Sequence, residues 1–341
     1  MRKSIMPLAL LAMIGCSGEN KDGAPVDQLL PVLGTVQVEE DADLAKLSAA
    51  IASNPNEPGA YRLRADELYH RGDYDRAIAD YTKALQIEPD AKLYYNRGVQ
   101  YTAKGCYEQA VADYNESIKM DPHDAASRYN RGMAFNKLGE LAKAKEDFDE
   151  VLSLSPDDTQ AMVARGLIYL SLGDLEKARK DFSSAIVVEP KNVEAYINRG
   201  YIYFMREEHV HAIQDFTEAI KLDPKSGLAF GNRGNAYSKR GQFGEALADL
   251  NKALELNPND FQAYNNRGSV HAEMKNHHQA VLDFTKALEL YPEFVMALRN
   301  RGQSYHQLGD TTKAQADFSE SLRIDPSQPE LVPVQYRRTG T

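Results

Sequence analysis

From Pro58 onward, apolar and small positions recur along this chain on two scales. Within a block of 34 residues they fall at helical spacing, and the whole block then repeats. Counting Ala125 as position 1, the block places Gly132 at position 8, Ala144 at 20, Phe148 at 24 and Pro156 at 32. Position 20 is Ala in every block, from Ala77 to Ala314, and position 32 is Pro in every block, from Pro89 to Pro326. Position 24 is large: Tyr81, Tyr114, Phe148, Phe182, Phe216, Leu250, Phe284 and Phe318. Positions 20, 24 and 27 share one helical face and predict a second helix in each block. Gly72, Gly105, Gly139, Gly173, Gly241 and Gly309 fall at position 15, where they end a first helix. Pro at position 32 stops the second. Each block therefore predicts a helix–turn–helix, and a period of this length predicts a stacked array whose core is shared between neighbours.

The blocks run 58–90, 91–124, 125–158, 159–192, 193–226, 227–260, 261–294 and 295–326. The first is one residue short and carries Ala65 at position 8, where the other seven carry Gly, from Gly98 to Gly302. Residues 39–57 read as a half-block that caps the array, with Leu47, Ala50 and Pro55 standing at positions 24, 27 and 32. Residues 327–341, with Pro329 and Pro333, show no polar capping helix. This leaves the last block's face to the tail, to a partner or to a second copy.

Block length, Gly at 8, Ala at 20, an aromatic at 24 and Pro at 32 together resemble the tetratricopeptide repeat. The resemblance spans Pro58 to Pro326. It departs at position 4, where Arg128, Met162 and Leu298 replace the usual aromatic, and the chain has no Trp. It implies an all-α fold: a right-handed superhelical solenoid of eight helix–turn–helix repeats. It also implies binding of proteins or peptides in a concave groove, without catalysis.

The first residues carry a second signal. Met1-Arg2-Lys3 precedes the mainly apolar stretch Ile5 to Ile14, then Gly15 and Cys16. A charged start, a short apolar run and a small residue make a secretory signal, 1–15, too short for a stable span. Met13-Ile14-Gly15-Cys16 resembles a bacterial lipobox, with Met where Leu is more usual. The resemblance implies cleavage before Cys16 and lipidation of that residue; the plainer reading is a signal peptide that happens to contain Cys. Ser17 in place of Asp implies the outer membrane, on its periplasmic face. Residues 16–38 then form the lipidated Cys and a polar tether. The second cysteine, Cys106, reads as a turn residue, with no intrachain bridge expected.

The net charge of −10 becomes −12 once Arg2 and Lys3 leave with the signal. An acidic chain with no basic run argues against nucleic acid and against electrostatic attachment to anionic lipid. No phosphate-cradling Gly loop, zinc-binding helix or nucleophile elbow is present, so neither cofactor nor metal is expected. His209 with His211, and His277 with His278, read as solvated residues beside turns rather than ligands.

Three polar positions repeat. Position 7 is Arg and position 23 is Asp in every block, equally far from the turn. An ion pair tying the two helices together is the natural reading, as in Arg97 with Asp113, Arg131 with Asp147, Arg199 with Asp215 and Arg233 with Asp249. A phosphate-binding Arg row is the alternative. Position 6 is Asn in six blocks: Asn96, Asn130, Asn198, Asn232, Asn266 and Asn300. An amide donates and accepts at once, which suits a peptide backbone. The row resembles the Asn ladder of O-linked N-acetylglucosamine transferases; capping or bridging of neighbouring helices is the alternative.

Positions 5, 9, 12 and 13 vary, as a recognition surface should. Tyr95, Tyr129, Met133, Leu167, Tyr201, Phe204 and Met205 make an apolar run there, read either as a partner-binding patch or as inter-helix packing. The Lys and Asn pattern of the chaperone-type carboxylate clamp is missing. The expectation is a lipid-anchored scaffold of the bacterial envelope, resembling NlpI-type lipoproteins. The alternative resembles pilotins, lipoproteins that assist type IV pilus or secretin assembly. Partner identity and oligomeric state stay open.

Overall fold

The computed structural model describes residues 42–336. Among them the fold is all-α, with seventeen α-helices and two short 3-10 turns. The expected signal, Cys16, the tether, the start of the half-block and residues 337–341 lie outside the described residues. The chain divides into two compact units between Ala178 and Arg179.

The first unit opens with α1 (Ala42–Ser53). Three hairpins follow: α2 (Pro58–His70) with α3 (Tyr74–Ile87), α4 (Ala91–Ala103) with α5 (Tyr107–Met120), and α6 (Ala125–Lys137) with α7 (Leu141–Leu154). Then come α8 (Thr159–Ser171) and α9 (Leu175–Val188), within which the division falls. The second unit holds the rest of α9 and four hairpins. These are α10 (Val193–Met205) with α11 (His209–Leu222), α12 (Gly227–Lys239) with α13 (Phe243–Leu256), α14 (Phe261–Glu273) with α15 (His277–Leu290), and α16 (Val295–Gln307) with α17 (Thr311–Ile324). With α8 and α9 as the fourth, the chain is a solenoid of eight repeats.

Local chemistry sets these boundaries. Asp90, Asp124, Asp158, Asn192, Ser226 and Asp260 each cap a first helix by accepting a bond from a backbone N–H of its opening turn. Phe294 breaks the row and caps nothing; its ring packs edge-on against Phe261 at 5.0 Å. The turn between helices requires the left-handed conformation at position 15. The six glycines there adopt it, at φ of 73° to 83°, but so do Glu207 at 64° and Lys275 at 61°. A bond from the backbone N–H of the next residue closes each of these turns, as in Glu208 N to Tyr203 O at 2.9 Å.

Position 8 is Gly because a ring lies across it. A Cβ at Gly98 would stand 2.7 Å from the ring of Tyr114, and one at Gly200 would stand 2.8 Å from that of Phe216. The position-24 ring thus packs first within its own repeat, not only between neighbours. The next repeat seals it with position 10: Ile168 joins Ala144 and Phe148, and Val270 joins Ala246 and Leu250. At the C-terminal end the tail takes this part itself. The 3-10 turns Pro329–Leu331 and Val334–Tyr336 bring Val332 and Tyr336 onto Ala314 and Phe318. The ring of Tyr336 lies 4.9 Å from that of Phe318, and its hydroxyl lies 2.9 Å from His306 Nδ1. Of the three candidates for that face, the tail is the one present.

Two expectations are corrected. Cys106 is buried and disulfide-bonded, where no bridge was expected, and its partner lies outside the described residues. A small apolar side chain at the N-cap of α5 makes no capping bond, which leaves the sulfur available for another. His209 and His277 are half-buried, not solvated: as the first residues of their helices they turn inward, and the His209 ring lies 5.4 Å from that of Phe204.

Candidate functional site

The helical hairpin brings position 7 level with position 23. In seven repeats the Arg fork grips the Asp carboxylate through two parallel bonds of 2.5–2.9 Å, Nε to Oδ2 and Nη2 to Oδ1. The pairs named above, Arg97–Asp113, Arg131–Asp147, Arg199–Asp215 and Arg233–Asp249, are among them. Burial pushes the Asp113 carboxyl up despite its bond to Arg97, while that same bond holds Arg97 above its ordinary value. Desolvation therefore offsets part of the attraction, and the pair fixes register more than it adds stability.

The third edge of the guanidinium carries a role that spacing within one repeat did not reveal. Nη1 reaches position 25 of the preceding repeat, or Ser48 of α1, at 2.7–3.3 Å. The acceptors are Thr82, Asn115, Asp149, Ser183, Thr217, Asn251 and Thr285. All are short polar residues beside the buried ring position, and this is the signal in the sequence that marks them. Aromatic faces flank the same guanidinium, as Phe230 and Tyr237 do for Arg233 at 5.6 and 5.8 Å. With its fork, third edge and faces engaged, such an Arg has no edge left for a phosphate row.

The Asn row divides by its neighbours. Asn130 Nδ2 donates to the hydroxyl of Tyr95 at 3.1 Å, and Asn300 Nδ2 donates to Asn265 Oδ1 at 3.0 Å. Both bonds run from position 6 to position 5 of the preceding repeat. Asn96 bonds the hydroxyl of Tyr81. Burial, with the acceptor Asp66, pushes that phenol well above its ordinary value. Asn198 donates to the carbonyl of Glu194 one turn back in its own helix, at 3.0 Å. Asn232 and Asn266 are half-buried, and their side-chain amides make no hydrogen bond to another described residue. Position 5 of the repeat before each is Ile197 and Gly231, and neither side chain can bond an amide.

The apolar candidates also divide. In the first unit, Tyr129 and Met133 pack onto the core cluster around Phe148, and the Tyr95 ring lies 6.1 Å from that of Tyr114. Leu167 is half-buried. In the second unit, Tyr201 is exposed at 38%, and Met205 is half-buried one turn further along α10. Phe204 and Ile197 pack onto the cluster around Phe216. First helices of successive repeats touch there, α10 to α12, α12 to α14 and α14 to α16, so these side chains and the free amides share one continuous face. That face changes from apolar in α10 to amide- and hydroxyl-rich in α12 and α14, with Asn232, Asn235, Ser238, Asn266 and Ser269. Among the described residues, no group of three or more potential metal ligands converges.

Models of the TPR repeat family match residues 65–105, 166–207 and 234–275. Further tetratricopeptide repeat models match 98–168, 193–226, 261–294, 216–248 and 295–328. The human protein Tetratricopeptide repeat protein 13 is 39% identical over 64 residues, which make up 18% of this chain and 7% of that protein. The structure is similar to that of a tetratricopeptide repeat protein from Parabacteroides merdae, with a TM-score of 0.59 and 22% identity, over 72% of this chain and 98% of that one. It is similar also to the anaphase-promoting-complex assembly Cut9–Hcn1, with a TM-score of 0.59 and 20% identity over 76% and 52% of the two chains. A third similar structure is PilW, described as a type IV pilus biogenesis factor, with a TM-score of 0.56 and 22% identity over 61% and 96%. At these identities the likeness is one of fold.

Proposed function

The chain belongs to the tetratricopeptide repeat family, whose members serve generally as protein-interaction scaffolds, and we propose that it binds partner proteins through an extended segment laid across α10, α12 and α14. The observation that carries this reading is the pair of unengaged amides, Asn232 and Asn266, one repeat apart on one face. Each offers a donor and an acceptor, the complement of a peptide group. Tyr201 and Met205 beside them supply an apolar anchor, and a few buried anchors dominate the affinity of such interfaces. The activity is binding, without chemistry.

Panning a library of unstructured random dodecapeptides on the full chain tests this. Selected peptides should compete with one another for one site and lose binding to a Tyr201→Ala variant. Peptides indifferent to Tyr201 would contradict the reading.

We propose further that Cys16 is lipidated and holds the array on the periplasmic face of a bacterial outer membrane. Two acyl chains on one residue anchor stably where one does not, at about 0.8 kcal/mol for each buried methylene. The chain has two cysteines, so a lipidated Cys16 requires that the bridge of Cys106 be absent from the mature protein, and mass spectrometry of the mature N-terminus separates the two states. Diacylglyceryl-Cys16 supports the anchor; a disulfide or an unmodified Cys16 overturns it. The fold likeness to PilW keeps a pilotin-like role as the second reading, which recovery of a secretin with the detergent-solubilised chain would favour.

A further inference from the structure

The six amides at position 6 are chemically identical, yet only two stand unengaged. The two cross-repeat bonds show how one partner is chosen. Asn130 bonds Tyr95 and Asn300 bonds Asn265, each reaching position 5 of the repeat before it. Where position 5 carries a bonding group, the amide is drawn into the array. Where it does not, the amide is left to its own helix or to solvent: Asn198, with Val163 at position 5 of the repeat before it, turns back to Glu194 O, whereas Asn232, after Ile197, and Asn266, after Gly231, stay available. Gly231 is conspicuous. It sits inside α12, where Gly is the poorest helix former after Pro. Packing does not demand it: a Cβ there would meet only Ala253 Cβ, at 3.8 Å. Six glycines at position 8, Gly98, Gly132, Gly200, Gly234, Gly268 and Gly302, are by contrast enforced by a side chain at 2.7–3.1 Å.

We propose that Ile197 and Gly231 are positioning residues that set the binding register of this face. They withhold a partner from Asn232 and Asn266, and so confine the peptide-backbone contacts to α12 and α14. The inference rests on the binding reading above and adds a rule to it: position 5 of one repeat decides whether the Asn of the next serves the fold or the ligand. The ligand chemistry is that of an extended main chain offering one N–H and one C=O to each amide. Asn300, engaged by Asn265, takes no part.

The test uses the full chain, dodecapeptides selected on it, and a variant that writes the Asn265–Asn300 pair one repeat earlier. Gly231→Asn gives Asn266 a partner. The melting temperature should rise, from the new bond and the better helix former, while peptide affinity falls about tenfold, the scale of one lost hydrogen bond. Damage to the fold would lower both. Ile197→Gln is the second variant and should silence Asn232 with a similar loss. The rule is overturned if Asn266→Ala weakens binding but Gly231→Asn and Ile197→Gln leave it unchanged. If Asn232→Ala and Asn266→Ala also leave it unchanged, the binding reading itself fails. Stability and affinity falling together in both position-5 variants would likewise reject the rule.

Discussion

Arg199 and Asp215 meet through two parallel bonds, Nε to Oδ2 at 2.8 Å and Nη2 to Oδ1 at 2.7 Å, while Arg199 Nη1 reaches Ser183 Oγ at 3.3 Å. One side chain thus ties its own hairpin shut and fastens it to the helix before. Lys has neither the planar fork nor the third edge. Arg199→Ala should cost on the order of 3 kcal/mol, because Asp215 is left buried and unpaired, and Arg199→Lys should recover only part of it. Ser183→Ala should cost about 1 kcal/mol. Urea unfolding midpoints check the order. A stable Arg199→Ala chain that no longer bound selected peptides would move Arg199 from scaffold to site.

Glu207 and Lys275 hold a conformation that L side chains adopt at a cost of roughly 1–2 kcal/mol. Glu207→Gly and Lys275→Gly should each stabilise the chain by about 1 kcal/mol, less the extra entropy of the unfolded glycine. Gly139→Ala should destabilise by a similar amount. Thermal melts of the three variants decide, and a lower melting temperature for both glycine variants would contradict the account.

Asp149 is the one charged acceptor in the position-25 series. Burial pushes its carboxyl up, but hydrogen bonds from Lys145 and Arg165 outweigh this and hold it below its ordinary value of 3.8. A carboxyl lowered in the folded state contributes stability above its unfolded pKa, and that stability is lost as pH falls through the folded value. The stability gap between the wild type and Asp149→Asn should therefore be widest near neutrality and close below about pH 4. Chemical denaturation across that range reads it, and a gap that widens in acid would reverse the sign.

Tyr336 and Val332 pack on Ala314 and Phe318, the place that position 10 of a following repeat takes elsewhere in the array. Removing the Tyr336 ring leaves a cavity over Phe318 and strips His306 of its hydroxyl partner. Tyr336→Ala should cost about 3 kcal/mol locally. Because an array unravels from its ends, the loss should show as faster amide exchange in α16 and α17 and not in α12. Equal acceleration in α12 would show that the tail caps more than the last repeat.

The hairpins were legible because their punctuation is chemical: Gly or a left-handed residue at 15, Pro at 32, and a ring at 24 over a gap at 8. The facing of Arg199 and Asp215 follows from symmetry about the turn. Contacts between repeats were not legible. The bond from Arg199 to Ser183, and the one from Asn300 to Asn265, depend on how one hairpin seats on the next, which spacing within a block cannot supply. For the same reason the variable positions did not separate into surface and core. Tyr129 and Met133 vary as Tyr201 does, yet they pack on Phe148 while Tyr201 faces solvent. Nor did the Pro-containing tail advertise its fold, since Val332 and Tyr336 bury themselves through 3-10 turns too short to leave a periodic pattern.

The central claim is that Asn232 and Asn266 carry partner binding while the other amides of the row serve the array. Its most direct measurement is calorimetric affinity for one selected dodecapeptide, using the wild type, Asn232→Ala with Asn266→Ala, and Asn130→Ala with Asn300→Ala. The first double variant should bind at least about a hundredfold more weakly at unchanged stability, two hydrogen bonds being lost. The second should lose stability and keep its affinity. Equal affinities for the wild type and the first double variant would contradict the account.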